Sequence, residues 1–208
     1  MTAATFTVYL VDDDPGVLKA LTRFLGTKGY DVRPFTSARK FLEQHDSSLP
    51  GCAIFDLAMP GLDGLQLQEA LAADNAQRPV IFLTGKGDIP TSVRAMKAGA
   101  VDFLTKQAGR DELLKAISRA AELDRKARQA RDEITELQSR IAHLTPRERE
   151  VLTHVIAGRL NKQIAGDLGT VEKTIKFHRG RMMQKLGVRT VADLVRLAEK
   201  AGIPVAKL

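Results

Sequence analysis

The sequence predicts an α/β protein, a doubly wound, parallel five-stranded sheet joined by one long helix to an all-α four-helix unit. Three observations carry this. Four short apolar runs and a fifth strand-like stretch at Asp31–Phe35 alternate with helix-like stretches over residues 1–118, the pattern of repeated βα units with right-handed crossovers and a sheet covered on both faces. Arg110 to Leu144 contains neither Pro nor Gly, so nothing in it breaks a helix. The last third holds four short helical patterns and the surplus positive charge. Residues 145–208 carry 13 Lys and Arg against 6 Asp and Glu, residues 1–118 carry 13 against 14, and residues 119–144 carry 6 against 5.

Taken in order, Phe6 to Val11 is the first strand and delivers Asp12, Asp13 and Asp14 at its end. Pro15 to Lys28 places Val17, Leu18, Leu21, Phe24 and Leu25 at helical spacing, and Gly29 stops it. Asp31 to Phe35 is a strand, and Ser37 caps a helix through Phe41 and Leu42. Cys52 to Phe55 is a short buried strand ending at Asp56, after which Pro60, Gly61 and Gly64 break regular structure. Leu62 to Ala73 is amphipathic through Leu65, Leu67 and Leu71. Pro79 to Leu83 is a strand delivering Thr84 and Gly85; Ile89 to Ala98 is a helix closed by Gly99; Val101 to Leu104 is a strand ending at Thr105 and Lys106.

The long helix carries a stripe stepping by three and four: Leu113, Ala116, Ala120, Leu123, Ala127, Ala130, Ile134, Leu137, Ile141 and Leu144. Two readings stand. The first part packs on the sheet and the rest is a spacer, or the later part pairs with a second copy in a thin, alanine-rich coiled coil. Beyond it, Thr145-Pro146-Arg147-Glu148 starts a helix with a capping box, with Val151, Leu152, Val155 and Ile156 inward and Gly158 at its end. Asn161 to Leu168, a Gly169-Thr170 turn, Val171 to Leu186 ending at Gly187, and Thr190 to Lys200 complete the chain. A short helix, a glycine turn and a long basic helix describe a helix-turn-helix. Its basic surplus points to a polyanion partner for that part alone.

Composition excludes other classes. No apolar run reaches 18 residues and no signal peptide precedes the first strand, so no membrane partner and a cytoplasmic location are expected. Cys52 is the single cysteine and falls in a buried strand, which suits a core thiol in a reducing compartment. His45, His143 and His154 lack metal-ligand spacing with one another.

If the strands are parallel, carboxylates, a carboxylate, a hydroxyl and an ammonium all meet at one sheet edge, where open α/β sheets place their sites. Clustered carboxylates repel unless a hard cation joins them, and Mg²⁺ held by carboxylates and a phosphate suits such a site.

This set resembles the receiver domain of two-component response regulators over roughly residues 5–118. Asp12 and Asp13 match the acidic pair, Asp56 the phosphoryl-accepting Asp, Met59-Pro60-Gly61 and Asp63-Gly64 the following loop, Thr84 the switch hydroxyl, Phe103 the switch aromatic and Lys106 the site lysine. Thr84-Gly85-Lys86-Gly87-Asp88-Ile89-Pro90 and Val93 to Ala100 look most like the NarL/FixJ class, on its FixJ side. The resemblance implies a flavodoxin-like fold in which Asp56 takes a phosphoryl group from a sensor histidine kinase. Mg²⁺ would be held by Asp13, Asp56 and the Ala58 carbonyl, with Asp12 acting through water. Lys106 and Thr84 would grip the phosphoryl oxygens. Movement of Thr84 would let Phe103 turn inward, altering the 89–98 and 101–105 face through which the family commonly dimerises.

Leu144 to Leu152, Asn161 to Ala165, Val171 to His178 and Met183 to Gly187 resemble the LuxR-type DNA-binding domain. The organisation expected is therefore a receiver at 1–118, a helical linker at 119–143 and a DNA-binding domain at 144–208. The resemblance implies that the 171–186 helix enters the major groove of double-stranded promoter DNA. Lys176 and Phe177 would contact base edges or the groove. Thr174 and His178 would contact phosphate, with Lys173, Arg179 and Arg181 on or near the same face. Gly180 stands where relatives carry a longer side chain. A homodimer formed on phosphorylation and RNA polymerase are the further partners implied.

One departure stands out. The family usually places Pro, joined by a cis peptide, after the site lysine, and here the residue is Gln107. Either the site holds a strained cis bond, or the loop is rebuilt and Lys106 enters differently. Two rival readings stand beside this one. A haloacid-dehalogenase-like phosphatase also uses Asp and Mg²⁺ but needs a second Asp two residues on, where this chain has Ala58; a non-enzyme is expected. A regulator that binds DNA without phosphorylation would use the first domain only for protein contacts, and Gln107 keeps that reading open.

Overall fold

The computed structural model describes residues 5–73, 78–85 and 88–204. Lys86 and Gly87 of the Thr84–Pro90 stretch lie outside the described residues. The chain folds as β1 (Thr7–Val11), α1 (Pro15–Gly26), β2 (Asp31–Phe35), α2 (Ala38–Gln44), β3 (Gly51–Phe55), α3 (Gly64–Ala73), β4 (Val80–Thr84), α4 (Ile89–Lys97), β5 (Asp102–Thr105), α5 (Arg110–Ala142), α6 (Pro146–Ile156), α7 (Asn161–Asp167), α8 (Glu172–Leu186) and α9 (Val191–Lys200). Among the described residues no helix is long and apolar enough to cross a membrane.

The five strands pair in the order β2-β1-β3-β4-β5, all parallel. Register aligns their carboxyl ends: Val11 lies opposite both Phe35 and Phe55, and Thr84 opposite Thr105. Because successive side chains of a strand point to opposite faces, each buried strand feeds two cores. Tyr9, Val11, Phe55 and Phe82 pack with Phe41 and Leu67 from α2 and α3. Val8, Leu10, Ile54 and Ile81 pack with Leu18 and Leu25 of α1 and Leu113, Ala116 and Ile117 of α5. This double covering explains why the strands read as continuous apolar runs rather than as alternation. Cys52 is fully buried, and burial pushes its thiol up to about 12, as a structural cysteine requires.

The chain divides into two compact units within α5, after Arg128. In the first unit α5 buries Leu113, Ala116, Ile117 and Ala120 and then makes a polar clasp. Asp124, only 2 % exposed, accepts from the Gly51 amide at 3.2 Å and from Arg128 Nε at 2.8 Å. Arg128 donates in turn to the carbonyls of Ser47, Ser48 and Leu49. Arg78 completes the turn: its Nη2 donates to the Asp46 carbonyl at 2.6 Å, and its guanidinium lies 4.5 Å from the Tyr9 ring centroid. A loop whose carbonyls would otherwise be stranded under a helix is thereby satisfied by two cations. The stripe itself already loses burial just before this clasp, with Leu123 49 % exposed.

In the second unit the last part of the stripe is not a bare spacer. Leu137 and Ile141 pack on the core of Leu144, Val151, Leu152, Ile164, Ile175, Met182, Leu186 and Leu194. Glu133 pairs with Lys200, and Arg140 donates to the Leu186 carbonyl. The Thr145–Glu148 capping box forms as its sequence demands, with Thr145 N donating to Glu148 Oε2 at 2.9 Å and Glu148 N to Thr145 Oγ1 at 3.3 Å. A second box, Thr190 with Asp193, opens α9. Gly187 ends α8 at φ 70°, a left-handed cap that a side chain would strain.

Glu148 also receives Lys185 Nζ at 2.6 Å while being 2 % exposed. Burial opposes its charge, but the Lys185 and Thr145 hydrogen bonds outweigh burial and hold the carboxyl below its ordinary value. A depressed acid stabilises the fold above its unfolded pKa, about 4.3, and that contribution fades as pH falls through the folded value. Wild type should therefore exceed Glu148→Gln in unfolding free energy near neutrality, and the gap should narrow progressively below about pH 4.5. Urea unfolding of both proteins across that range tests this; a gap that stays constant would refute it.

Candidate functional site

At the carboxyl ends of β1 and β3, ladder hydrogen bonds fix two acidic residues. Asp12 N donates to the Phe35 carbonyl at 3.1 Å, and Asp56 N to the Val11 carbonyl at 2.9 Å. Asp12 and Asp56 are 5 % and 6 % exposed, and with the exposed Asp13 they offer carboxylate oxygens within 4.8 Å of one another. Of the three consecutive aspartates, Asp14 has a different role: its side chain caps α1 through the Gly16 and Val17 amides at 2.7 and 3.4 Å.

Lys106 crosses from the end of β5. Its Nζ lies 2.6 Å from Asp12 Oδ2 and 3.0 Å from Asp56 Oδ2, while its backbone amide donates to the Thr84 carbonyl at 2.7 Å. The other carboxylate oxygens are occupied from the backbone, Asp12 Oδ1 by Asp14 N and Asp56 Oδ1 by Leu57 N. Burial drives the Asp12 pKa up against the opposing pull of Lys106. Burial also disfavours the Lys106 charge, but hydrogen bonds to Asp12 and Asp56 overcome it and raise that pKa. Lys106 reaches both carboxylates without the cis bond weighed above, since no cis peptide occurs among the described residues. Gln107 thus leaves the lysine in the site.

Thr84 ends β4 fully buried, and Phe103, half-buried in β5, lies opposite Phe82 in register with ring centroids 6.0 Å apart. Ala58 is exposed in the loop after β3. Gly64 explains that loop's closeness. A Cβ there would come within 2.4 Å of the Asp56 carbonyl and 3.0 Å of the Phe82 ring, so any side chain would push the Asp56 strand end out of line.

In the second unit, α8 buries Ile175, Met182 and Leu186 and turns Lys173, Lys176, Phe177, Gly180 and Arg181 outward. These positions recur at the three- and four-residue spacing of one helix face. Thr174, His178 and Arg179 are half-buried beside it. Lys176 pairs with Glu172 at 3.0 Å, and Arg179 donates to Asn161 Oδ1 at 2.9 Å, tying α8 to the start of α7.

The family model described as the response regulator receiver domain matches residues 8–118, and that of bacterial regulatory proteins of the luxR family matches residues 142–198. The chain belongs to the response regulators. Nodulation protein W of Bradyrhizobium diazoefficiens is 44 % identical over 94 % of this chain and 86 % of its own length. A solved structure of the response regulator StyR superimposes with a TM-score of 0.82 at 46 % identity, covering 95 % of this chain and all of StyR. Full-length FixJ from B. japonicum gives a TM-score of 0.57 at 35 % identity, covering 97 % of this chain and all of FixJ. This response regulator is of the NarL/FixJ class, a phosphorylation-controlled, DNA-binding regulator of transcription.

The receiver of this response regulator brings Asp12, Asp13, Asp56 and Lys106 together, with Thr84 at the adjoining strand end. In the LuxR-type unit the predicted set separates into an exposed group and Arg179, whose guanidinium is engaged by α7. Sequence reasoning missed Asp124, Arg128, Arg78 and the Glu148–Lys185 pair. The Asp124–Arg128 spacing of four was the one available signal, and surface pairs at that spacing are commonplace.

Proposed function

We propose that Asp56 is the phosphoryl acceptor, that Asp12, Asp13 and Asp56 form the Mg²⁺ site for the transfer, and that the exposed face of α8 reads promoter DNA. The observation that supports this best is a cluster of three carboxylates, of which the two buried ones share a single ammonium. That leaves excess negative charge built from hard oxygen donors, which fits a small divalent cation. Asp13, Asp56 and the Ala58 carbonyl would hold the ion, with Asp12 acting through water, and when bound it supplies charge neutralisation on the phosphoryl oxygens.

An Asp56 carboxylate oxygen attacks the phosphorus of a phosphohistidine on a sensor histidine kinase. The O–P bond forms, the N–P bond breaks, and the imidazole leaves with the electron pair. Lys106, already on Asp56, shifts its hydrogen bonds to the phosphoryl oxygens beside the Thr84 hydroxyl. Thr84 moves toward the phosphoryl and Phe103 turns inward behind it. This remodels the face of α4 and β5, where Ile89, Val93 and Met96 are 79 %, 44 % and 46 % exposed. Apolar exposure of that extent suits pairing with a second copy. The resulting dimer would present two α8 helices to half-sites on duplex DNA, with RNA polymerase engaged at the promoter.

Genome-wide mapping of bound DNA in wild type and Asp56→Asn tests the reading. Promoter occupancy should fall in the variant. Identical maps would mean that DNA binding is not governed through Asp56.

A further inference from the structure

Phe177 is 57 % exposed on α8, although an aromatic ring of that size costs free energy in water unless a partner covers it. One side of it is already engaged. The Arg181 guanidinium carbon lies 5.2 Å from the ring centroid, one helical turn on, within cation–π range. Arg181 forms no ion pair among the described residues, whereas Lys176 on the same face is paired with Glu172. Between the two stands Gly180, where an added Cβ would meet nothing within 4 Å. The helix surface there is backbone, so the ring and the guanidinium project beyond their neighbour.

Resting on the reading that α8 faces DNA, we propose that Phe177 and Arg181 act as one unit that reads a thymine adjacent to a guanine. The major groove displays the thymine 5-methyl as its apolar feature, and guanine O6 and N7 as a paired acceptor that matches the arginine fork. An apolar ring meets the first and the guanidinium the second. Because the two side chains are in contact, the bases they read are neighbours. The ring also holds the guanidinium in place, which lowers the ordering cost of the bidentate contact. Phe177 is therefore a specificity residue in its own right and a positioning residue for Arg181.

The test uses the full chain and a duplex selected from a randomised pool by the wild-type protein, with base analogues placed singly. Replacing one thymine by uracil, which removes only the methyl, should weaken wild type about 4-fold and leave Phe177→Ala unaffected. Replacing the adjacent guanine by 7-deazaguanine should weaken wild type about 5- to 150-fold and leave Arg181→Ala unaffected, while the salt dependence of Arg181→Ala stays that of wild type, as for a base contact rather than a phosphate contact. If uracil at every thymine is tolerated, or the two sensitive bases are not adjacent, the paired reading is overturned. If both variants bind every duplex as wild type does, the assignment of α8 to DNA fails with it.

Discussion

A small-molecule phosphodonor with Mg²⁺ is expected to add a single phosphoryl group to the wild-type chain and none to Asp56→Asn. The amide replaces the carboxylate at nearly constant shape and can still accept from the Leu57 amide that now holds Oδ1. It also removes one of three carboxylates crowded within 4.8 Å, and that relief from repulsion offsets the lost ion pair with Lys106. Loss of the adduct would therefore report lost nucleophilicity and not unfolding. The two neighbouring aspartates do not substitute. Asp12 is bound by Lys106 and by the Asp14 amide. Asp13 is exposed and lacks the enclosure that positions an in-line donor. Intact-mass measurement decides the matter, and an equal adduct on the variant would overturn the assignment of Asp56.

The largest stability effect is expected at the opposite end of the sheet, from Asp124→Ala. Asp124 is 2 % exposed and Arg128 keeps 24 % of its side chain in solvent. Removing the carboxylate strands the Gly51 amide and leaves the Arg128 guanidinium without its counter-charge, next to the buried Arg78 whose own pKa burial already lowers. Breaking a buried pair by deleting one partner costs about 3–5 kcal/mol, and the partial exposure of Arg128 places this pair near the lower figure, about 3 kcal/mol. The loss should fall on the first unit alone, because every partner of the clasp lies at or before Arg128. Urea unfolding followed by separate probes in the two units should show the first transition shifted and the second in place. A shift below 1 kcal/mol would mean that solvent replaces the clasp.

Much of the site was legible before any coordinates, for a physical reason. A short apolar run that ends in a carboxylate, a hydroxyl or an ammonium states both the strand and the group at its carboxyl end. A parallel sheet then brings those ends to one edge. Asp12, Asp13, Asp56, Thr84 and Lys106 could be named on that ground, and the caps at Ser37 and Thr145 follow from local hydrogen bonding alone. Local rules could not apportion residues that compete for one role. Asp14 reads like its two neighbours in sequence, yet the start of α1 takes it as a cap. Arg179 reads like Arg181, yet Asn161 binds it from another helix.

The sequence by itself determined the strand ends, the alternation of elements and the basic helix of the second unit, because those depend on periodicity and near-neighbour chemistry. Only the tertiary structure decided how the α5 stripe is used. Its regular spacing left open a spacer or a self-pairing seam beyond the sheet, but each apolar position goes to whichever core lies beneath it. Ala120 is buried in the first unit, Leu123 faces solvent, and Leu137 and Ile141 pack in the second. The buried Asp124 owes its place to the Gly51 amide at the start of β3, 73 residues away in the chain. A group so distant leaves no trace in spacing, and its partner is settled only when the backbone amide that needs it has been buried.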